Sequence, residues 1–386
     1  MLRALLLCAT AFAATGSADT VPGLPLTLGV GCNTVTPYPY QPRASCGDPV
    51  YVQNISAPSY ASLMQLQFSY FNLPETDYIV LTGWENKTRA RNVYYRGSGA
   101  PVAAFNSTPF FTKWITLSLY TSVANTSSAA CPGFQVNALI TSLAASGNES
   151  QCGLTDNTLE AVCYMGLPAV WKNAQTVARL VINQSGKLAG CTGWLLGSSG
   201  HFVTCNHCIR SAVDAANTRI EFAAQASKCP LLGQPQLCAR QLACPGQVYT
   251  GGIKFIYTST SLDYTLVQLD QRLVAKYNYI RLRKKGPVAN EPIYIVQHPN
   301  AYGKRICDKY NGGKALAGSA WSATEVPYYL DTLPMASGSP VFSGADNLVV
   351  ALHHGGYTQC PNLGIRSDLL YADLLQRGLL PPNASN

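Results

Sequence analysis

The sequence predicts an all-β protein in two parts: an N-terminal β-sandwich followed by two packed antiparallel barrels. Three observations point there. Of 386 residues, 47% are hydrophobic and 12% charged, with 32 Gly, 24 Pro and 22 Tyr, the balance of a folded, turn-rich chain rather than a disordered or coiled-coil one. Short apolar runs recur along the chain, several alternating at period two, and Gly, Pro, Asn, Asp and Ser separate them. Helical spacing is confined to one run, 367–374. At this length two domains of roughly 100–250 residues are expected.

Residues 1–18 read as a secretory leader, with Arg3, the apolar run 5–14 and the small-residue cleavage site Gly16-Ser17-Ala18. The run is too short to span a bilayer, and no later stretch reaches about 18 apolar residues. A secreted, extracellular chain with no membrane span is therefore expected. The cysteines agree: of fourteen, thirteen remain once Cys8 is removed, an upper bound of six disulfides and one odd thiol. Seven Asn-X-Ser/Thr sequons (Asn54, Asn86, Asn106, Asn125, Asn148, Asn183, Asn383) fit a glycoprotein surface.

Residues 30–145 form the first part. Leu63-Met64-Gln65-Leu66-Gln67-Phe68-Ser69-Tyr70-Phe71 and Trp114-Ile115-Thr116-Leu117-Ser118-Leu119-Tyr120 alternate as half-buried strands do, and strands also fit Tyr78-Ile79-Val80-Leu81 and Phe134-Gln135-Val136-Asn137-Ala138-Leu139. The polar stretch 141–156 marks the boundary. Leu159-Glu160-Ala161-Val162-Cys163 and Ala169-Val170-Trp171-Lys172-Asn173 fit short helices or extended leads equally. Residues 150–386 form the second part, with strands at Val177-Ala178-Arg179-Leu180-Val181-Ile182, Gly193-Trp194-Leu195-Leu196, Tyr264-Thr265-Leu266-Val267-Gln268-Leu269, Ile293-Tyr294-Ile295-Val296 and Leu348-Val349-Val350-Ala351-Leu352.

The net charge is +8, and about +7 without Arg3. Basic residues are scattered apart from Arg281-Leu282-Arg283-Lys284-Lys285, which reads as a solvated loop rather than a nucleic-acid site. The spacings of Cys229, Cys238 and Cys244 are not those of a zinc site, so neither a metal nor a cofactor is expected.

Amide hydrolysis needs a nucleophile, a base near pKa 7, a group orienting that base and donors for the oxyanion. His207, in Thr204-Cys205-Asn206-His207-Cys208, can supply the base; taken alone it is equally a loop histidine beside a disulfide. Asp263, in Leu262-Asp263-Tyr264-Thr265-Leu266, stands where an orienting carboxylate opens a strand. Ser337, in Met335-Ala336-Ser337-Gly338-Ser339-Pro340-Val341-Phe342, is the candidate nucleophile.

Together with Cys191-Thr192-Gly193-Trp194, Gln297-His298-Pro299-Asn300 and Ala351-Leu352-His353-His354-Gly355-Gly356, these segments resemble the trypsin-like serine proteases, in their glutamyl- and lysyl-endopeptidase-like branch. The resemblance covers nearly everything after residue 150. It implies a double β-barrel, a triad of His207, Asp263 and Ser337, an oxyanion hole of the Met335 and Ser337 amides, and protein or peptide substrates. It also implies disulfides Cys191–Cys208 and Cys152–Cys360, with Cys163 bonded to one of Cys229, Cys238 and Cys244. For specificity, Asp331 and Asp368 resemble carboxylates that select Lys or Arg, whereas His353, followed by His354, resembles the histidine that reads acidic side chains. Basic P1 residues are the expectation.

Three departures stand out: Cys205 where the family has a small residue, Met335 where it has glycine, and Ala336 where chymotrypsin-type zymogens have the acidic partner of a new N-terminus. Without that partner, latency would have to come from the N-terminal part. A bulky residue after Pro334 also opens an alternative, a catalytically inactive homologue that serves as a secreted binding or inhibitor protein. Residues 30–145, with Cys32, Cys46, the strand Leu66-Gln67-Phe68, Asp77-Tyr78 and Gly133-Phe134, resemble a diverged CUB-like domain, which implies a protein or carbohydrate ligand.

Overall fold

The computed structural model describes residues 23–386 apart from 33, 35, 39–46, 59–62, 87–88, 111, 122–130, 144–148, 185–186, 232–233 and 320–321. The leader, Cys46, Asn125 and Asn148 lie outside the described residues.

The first part is a sandwich of two four-stranded antiparallel sheets. One runs Leu24–Gly31, Gly133–Thr141, Met64–Asn72, Phe105–Asn106, the other Tyr51–Ser56, Trp114–Tyr120, Tyr78–Asn86, Arg89–Arg96. The alternation in Trp114–Tyr120 does what period two dictates: Ile115, Leu117 and Leu119 are buried and Trp114 is exposed. Phe68 stacks on Phe105 at the centre of this core. Cys32 is bonded to Cys131.

The second part holds two seven-stranded antiparallel sheets. The first runs Gln247–Val248, Thr218–Phe222, Val177–Gln184, Lys187–Leu196, His201–Thr204, Tyr264–Gln268, Lys254–Ser259. The second runs Glu325–Tyr328, Asn362–Arg366, Val349–Gly356, Pro340–Ser343, Ile293–Gln297, Arg305–Cys307, Leu159–Glu160. The two antiparallel sheets are those expected of the double-barrel architecture, and among the described residues no ladder joins the outer strands of either sheet. One outer strand of each sheet has only two residues, too few free backbone groups to pair across a closing seam.

The stretch left open between helix and extended chain is both. Leu159–Glu160 is a strand, Ala161–Tyr164 a 3-10 turn, and Pro168–Gln175 a helix with proline in its first turn, where the missing N–H costs nothing. The C-terminal helix spans Ser367–Gln376. Two short helices, Ala212–Ala216 and Arg272–Tyr277, lacked a legible period; the first is capped by the Ser211 hydroxyl.

Five disulfides stand among the described residues. Cys191–Cys208 and Cys152–Cys360 are formed, Cys163 pairs with Cys229, and Cys238 pairs with Cys244. Cys205 and Cys307 are buried thiols.

A buried ion pair fixes the frame around the site. Arg179 Nη2 lies 2.8 Å from Glu221 Oε2, and both side chains are almost wholly buried. Arg179 Nη1 also donates to Ala301 O at 3.0 Å, and the neighbouring Asn300 N donates to Pro334 O at 2.6 Å. The pair therefore holds the 299–301 turn that supports the Ser337 loop. Glu221→Ala leaves a buried guanidinium unpaired, so chemical denaturation should show a loss of about 3–5 kcal/mol.

Candidate active site

His207 sits in the turn after strand His201–Thr204. The Cys191–Cys208 bond clamps that turn to the neighbouring strand, and Gln184 Nε2 donates to the carbonyls of His207 (3.0 Å) and Cys208 (2.8 Å). Asp263 receives both donors of His207: the backbone N–H at 3.0 Å on Oδ1 and Nδ1 at 2.8 Å on Oδ2. That fixes the tautomer, because an Nδ1 that donates leaves neutral Nε2 as the basic nitrogen. Nε2 is buried and has no hydrogen-bond partner among the described residues.

Asp263 lies one residue before strand Tyr264–Gln268 at φ +40°, a conformation short polar side chains tolerate. Burial pulls its carboxyl up, but the hydrogen bonds from His207 and His354 outweigh burial and hold it below the usual carboxylate range. His354, grouped by sequence with the substrate pocket, lies beside the Asp263 carboxylate. Its Nδ1 is 3.4 Å from Asp263 Oδ2 and its Nε2 2.9 Å from Glu325 Oε1. Burial opposes its charge, yet the contacts with Asp263 and Glu325 raise its pKa.

Ser337 is brought to the same place. Its carbonyl accepts from Thr192 N at 2.9 Å and lies 3.9 Å from Cys208 Sγ, next to His207. The loop before it is a tight turn closed by Ala336 N to Leu333 O at 3.1 Å, with Pro334 second and Met335 third at φ +79°. A type II turn demands this arrangement, proline then a positive φ, and usually fills the third position with glycine. Holding a side chain there costs about 1–2 kcal/mol. Met335 offsets it by burial among Leu143, Val181, Leu188 and Ala301. Gly190 leaves the room, since a Cβ there would lie 2.7 Å from the Met335 sulfur.

Because the Pro334 carbonyl points to Asn300, the N–H across the same planar peptide, that of Met335, points the opposite way. Among the described residues neither the Met335 nor the Ser337 amide donates to a protein acceptor. Unused donors of this kind are what an oxyanion site needs. The side chain that fills the Met335 pocket thus sits on a backbone of the glycine type.

The nucleophile candidate is not open to solvent. Ser337 is 0% exposed, and its Oγ donates to Glu149 Oε1, while Ala336 N donates to Glu149 Oε2 at 3.1 Å. His353 lies beneath: its Nε2 is 3.7 Å from Glu149 Oε1, and its Nδ1 is 2.8 Å from the Tyr328 hydroxyl. Glu149 and Tyr328 carry no sequence signal of a site role; Glu149 reads only as the middle of a sequon in a polar linker.

The two other specificity candidates stand apart from this cluster. Asp331 accepts from Cys152 N (2.6 Å), Asn157 N (2.6 Å) and Asn157 Nδ2 (2.9 Å), so it ties down the start of the second part. Asp368 pairs with Arg366 at 2.7 Å at the head of the C-terminal helix. Cys205 Sγ donates to the His353 carbonyl at 3.3 Å and fills the space behind the loop.

Antiparallel sheets that bring the histidine, aspartate and serine loops together define the class, trypsin-like serine endopeptidases. The chain belongs to the family described as lysyl endopeptidase, C-terminal domain, which it matches over residues 153–371. It is 37% identical over 382 residues to "Secreted RxLR effector protein 73" of Plasmopara viticola, covering 95% of this chain and 92% of that protein. Among solved structures, a Glu endopeptidase in complex with MPD is similar at 14% identity and TM-score 0.41, over 59% of this chain and 99% of its own. A serine endoprotease from Yersinia pestis is similar at 11% identity and TM-score 0.41, over 55% of this chain; the match spans 65% of that protein, under two thirds.

Proposed function

We propose that the chain is a secreted serine endopeptidase in which Ser337 attacks, His207 accepts and returns the proton, and Asp263 orients His207. The single observation that carries the proposal is the pair of hydrogen bonds from His207 to Asp263, which leaves Nε2 buried and free for the serine proton. Acyl transfer follows: Oγ bonds to the scissile carbonyl carbon, the oxyanion is received by the amides of Met335 and Ser337, and the amine leaves with the proton from Nε2. Water then repeats the sequence on the acyl-enzyme. Secretion is supported by the leader-like residues 1–18 and by the printed description of the Plasmopara relative.

For the substrate, the side chain read in the pocket is acidic rather than basic. Asp331 and Asp368 are already engaged, by two amides with an Asn side chain and by an arginine. His353, in contrast, turns an unpartnered nitrogen to a carboxylate. The Tyr328 hydroxyl lies 2.8 Å from His353 Nδ1 and 3.0 Å from the Leu363 carbonyl and has one proton for the two; in the arrangement where it donates to Nδ1, Nε2 carries the imidazole proton and donates to a substrate carboxylate.

We also propose the division into residues 30–145 and 150–386, supported by separate hydrophobic cores on the two sides. The CUB-like nature of the first part, with a protein or carbohydrate ligand, is proposed on its sequence resemblance.

The test is labelling of the purified full chain by a fluorophosphonate, followed by peptides that differ only at P1. Labelling that His207→Ala abolishes, with Glu preferred over Lys and Arg, is expected. Labelling unaffected by His207→Ala would sink the mechanism, and preference for Lys would sink the pocket assignment alone.

A further inference from the structure

The linker between the two parts carries Glu149, and its carboxylate occupies the place where a substrate must react. Two groups donate to it, Ser337 Oγ and Ala336 N at 3.1 Å, and His353 Nε2 lies 3.7 Å away. Its side chain, Ser337 and His353 are all buried. The serine proton is directed to this carboxylate, so His207 Nε2 is left without it.

The described chain before and after Glu149 is fastened at two places, Leu143 and Ser150 to Cys152. On the C-terminal side, Ser150 exchanges hydrogen bonds with Asn362, from N to Oδ1 at 3.1 Å and from Nδ2 to O at 2.7 Å, and Cys152 is bonded to Cys360. On the N-terminal side, Leu143 packs against Met335, and its N–H donates to Gln241 Oε1 at 2.8 Å. Gln241 in turn reaches the Met335 sulfur at 3.7 Å. A carboxylate tethered this closely loses little freedom on binding, which makes it a strong occupant of its site.

From this geometry we infer that Glu149 is a tethered, acidic occupant of the active site that keeps the protein latent, and that Met335 is the apolar seat of the same latch. The inference rests on the serine-endopeptidase reading only for what is being held latent. Ala336 in place of an acidic residue removes one route to latency, and the linker supplies another. Withdrawal of Glu149 frees the Ser337 hydroxyl for His207 and empties the face of His353 for a substrate side chain. The latch and the substrate are then competitors for one carboxylate site.

The test separates the latch from the chemistry. Ser337→Cys is made alone and with Glu149→Ala or Glu149→Gln, and alkylation at position 337 by iodoacetamide is timed by peptide mapping, after thermal melting has shown each chain folded. Removal of the carboxylate is expected to speed alkylation about 10- to 100-fold, the loss of charge-assisted hydrogen bonds. Glu149→Gln, which keeps the volume, is expected to lie between. Equal rates in all three chains overturn the latch. Fluorophosphonate labelling of the parent and of Glu149→Ala, with Ser337 intact, is the second arm. Faster alkylation without any labelling leaves the latch and removes the peptidase; labelling at one rate in both chains, with no faster alkylation, does the reverse.

Discussion

Asp263→Asn is expected to lower kcat by about 10⁴, with the fold intact. Asn occupies positive φ as readily as Asp does, so the turn at φ +40° is kept. What changes is the imidazole. An amide presents a donor as well as an acceptor to His207 Nδ1, which turns the tautomer so that Nε2 no longer accepts the serine proton. His354 and the His207 N–H also lose a charged partner. A readout besides rate follows from the lowered pKa of Asp263. Its charge stabilises the folded chain above the unfolded value of about 3.9, and that contribution is lost as pH falls through the lower folded value. Stability of the Asp263→Asn chain, followed by denaturant melts from pH 5 downwards, should therefore fall less steeply than that of the parent. An equal slope would show that the carboxylate is not held by these histidines.

The second large effect is on substrate choice. His353→Phe keeps an aromatic ring of similar size and removes the only nitrogen that faces the carboxylate from that ring. For peptides with Glu at P1, kcat/KM is expected to drop about 10²–10³, the range for truncating one side of a buried charged hydrogen bond. Peptides with an uncharged P1 should lose far less. Tyr328→Phe makes the companion measurement, because that hydroxyl only positions the imidazole. It should raise KM for acidic peptides more than it lowers kcat. A uniform loss over all P1 residues would contradict a reading role for His353 and point to a packing role.

Much of the site was legible because its parts are local. A histidine beside a cysteine, an aspartate before an apolar strand and a Ser-Gly-Ser-Pro-Val run each signal their proposed role within a few residues. The turn at Met335 was half legible: Pro334 signals a turn, but only the backbone shows that methionine adopts the glycine-like φ, so the bulky side chain does not disturb the amide. Asp331 was legible only in part. Its offset from Ser337 is suggestive, yet it already accepts three hydrogen bonds from Cys152 and Asn157, about 175 residues earlier in the chain. Glu149 was illegible altogether, since nothing in the sequence around it tells that its carboxylate meets Ser337. The outer strands of two residues were illegible too, since they are shorter than periodicity can resolve.

Latency and catalysis meet at one hydroxyl, and one measurement addresses it most directly. The Glu149→Ala chain is treated with a fluorophosphonate, digested, and the phosphonylated residue located by mass spectrometry. The account predicts a single adduct on Ser337, absent when His207 is replaced by alanine and formed far more slowly in the parent chain. No adduct, or an adduct on another residue while Ser337 stays unmodified, would contradict it.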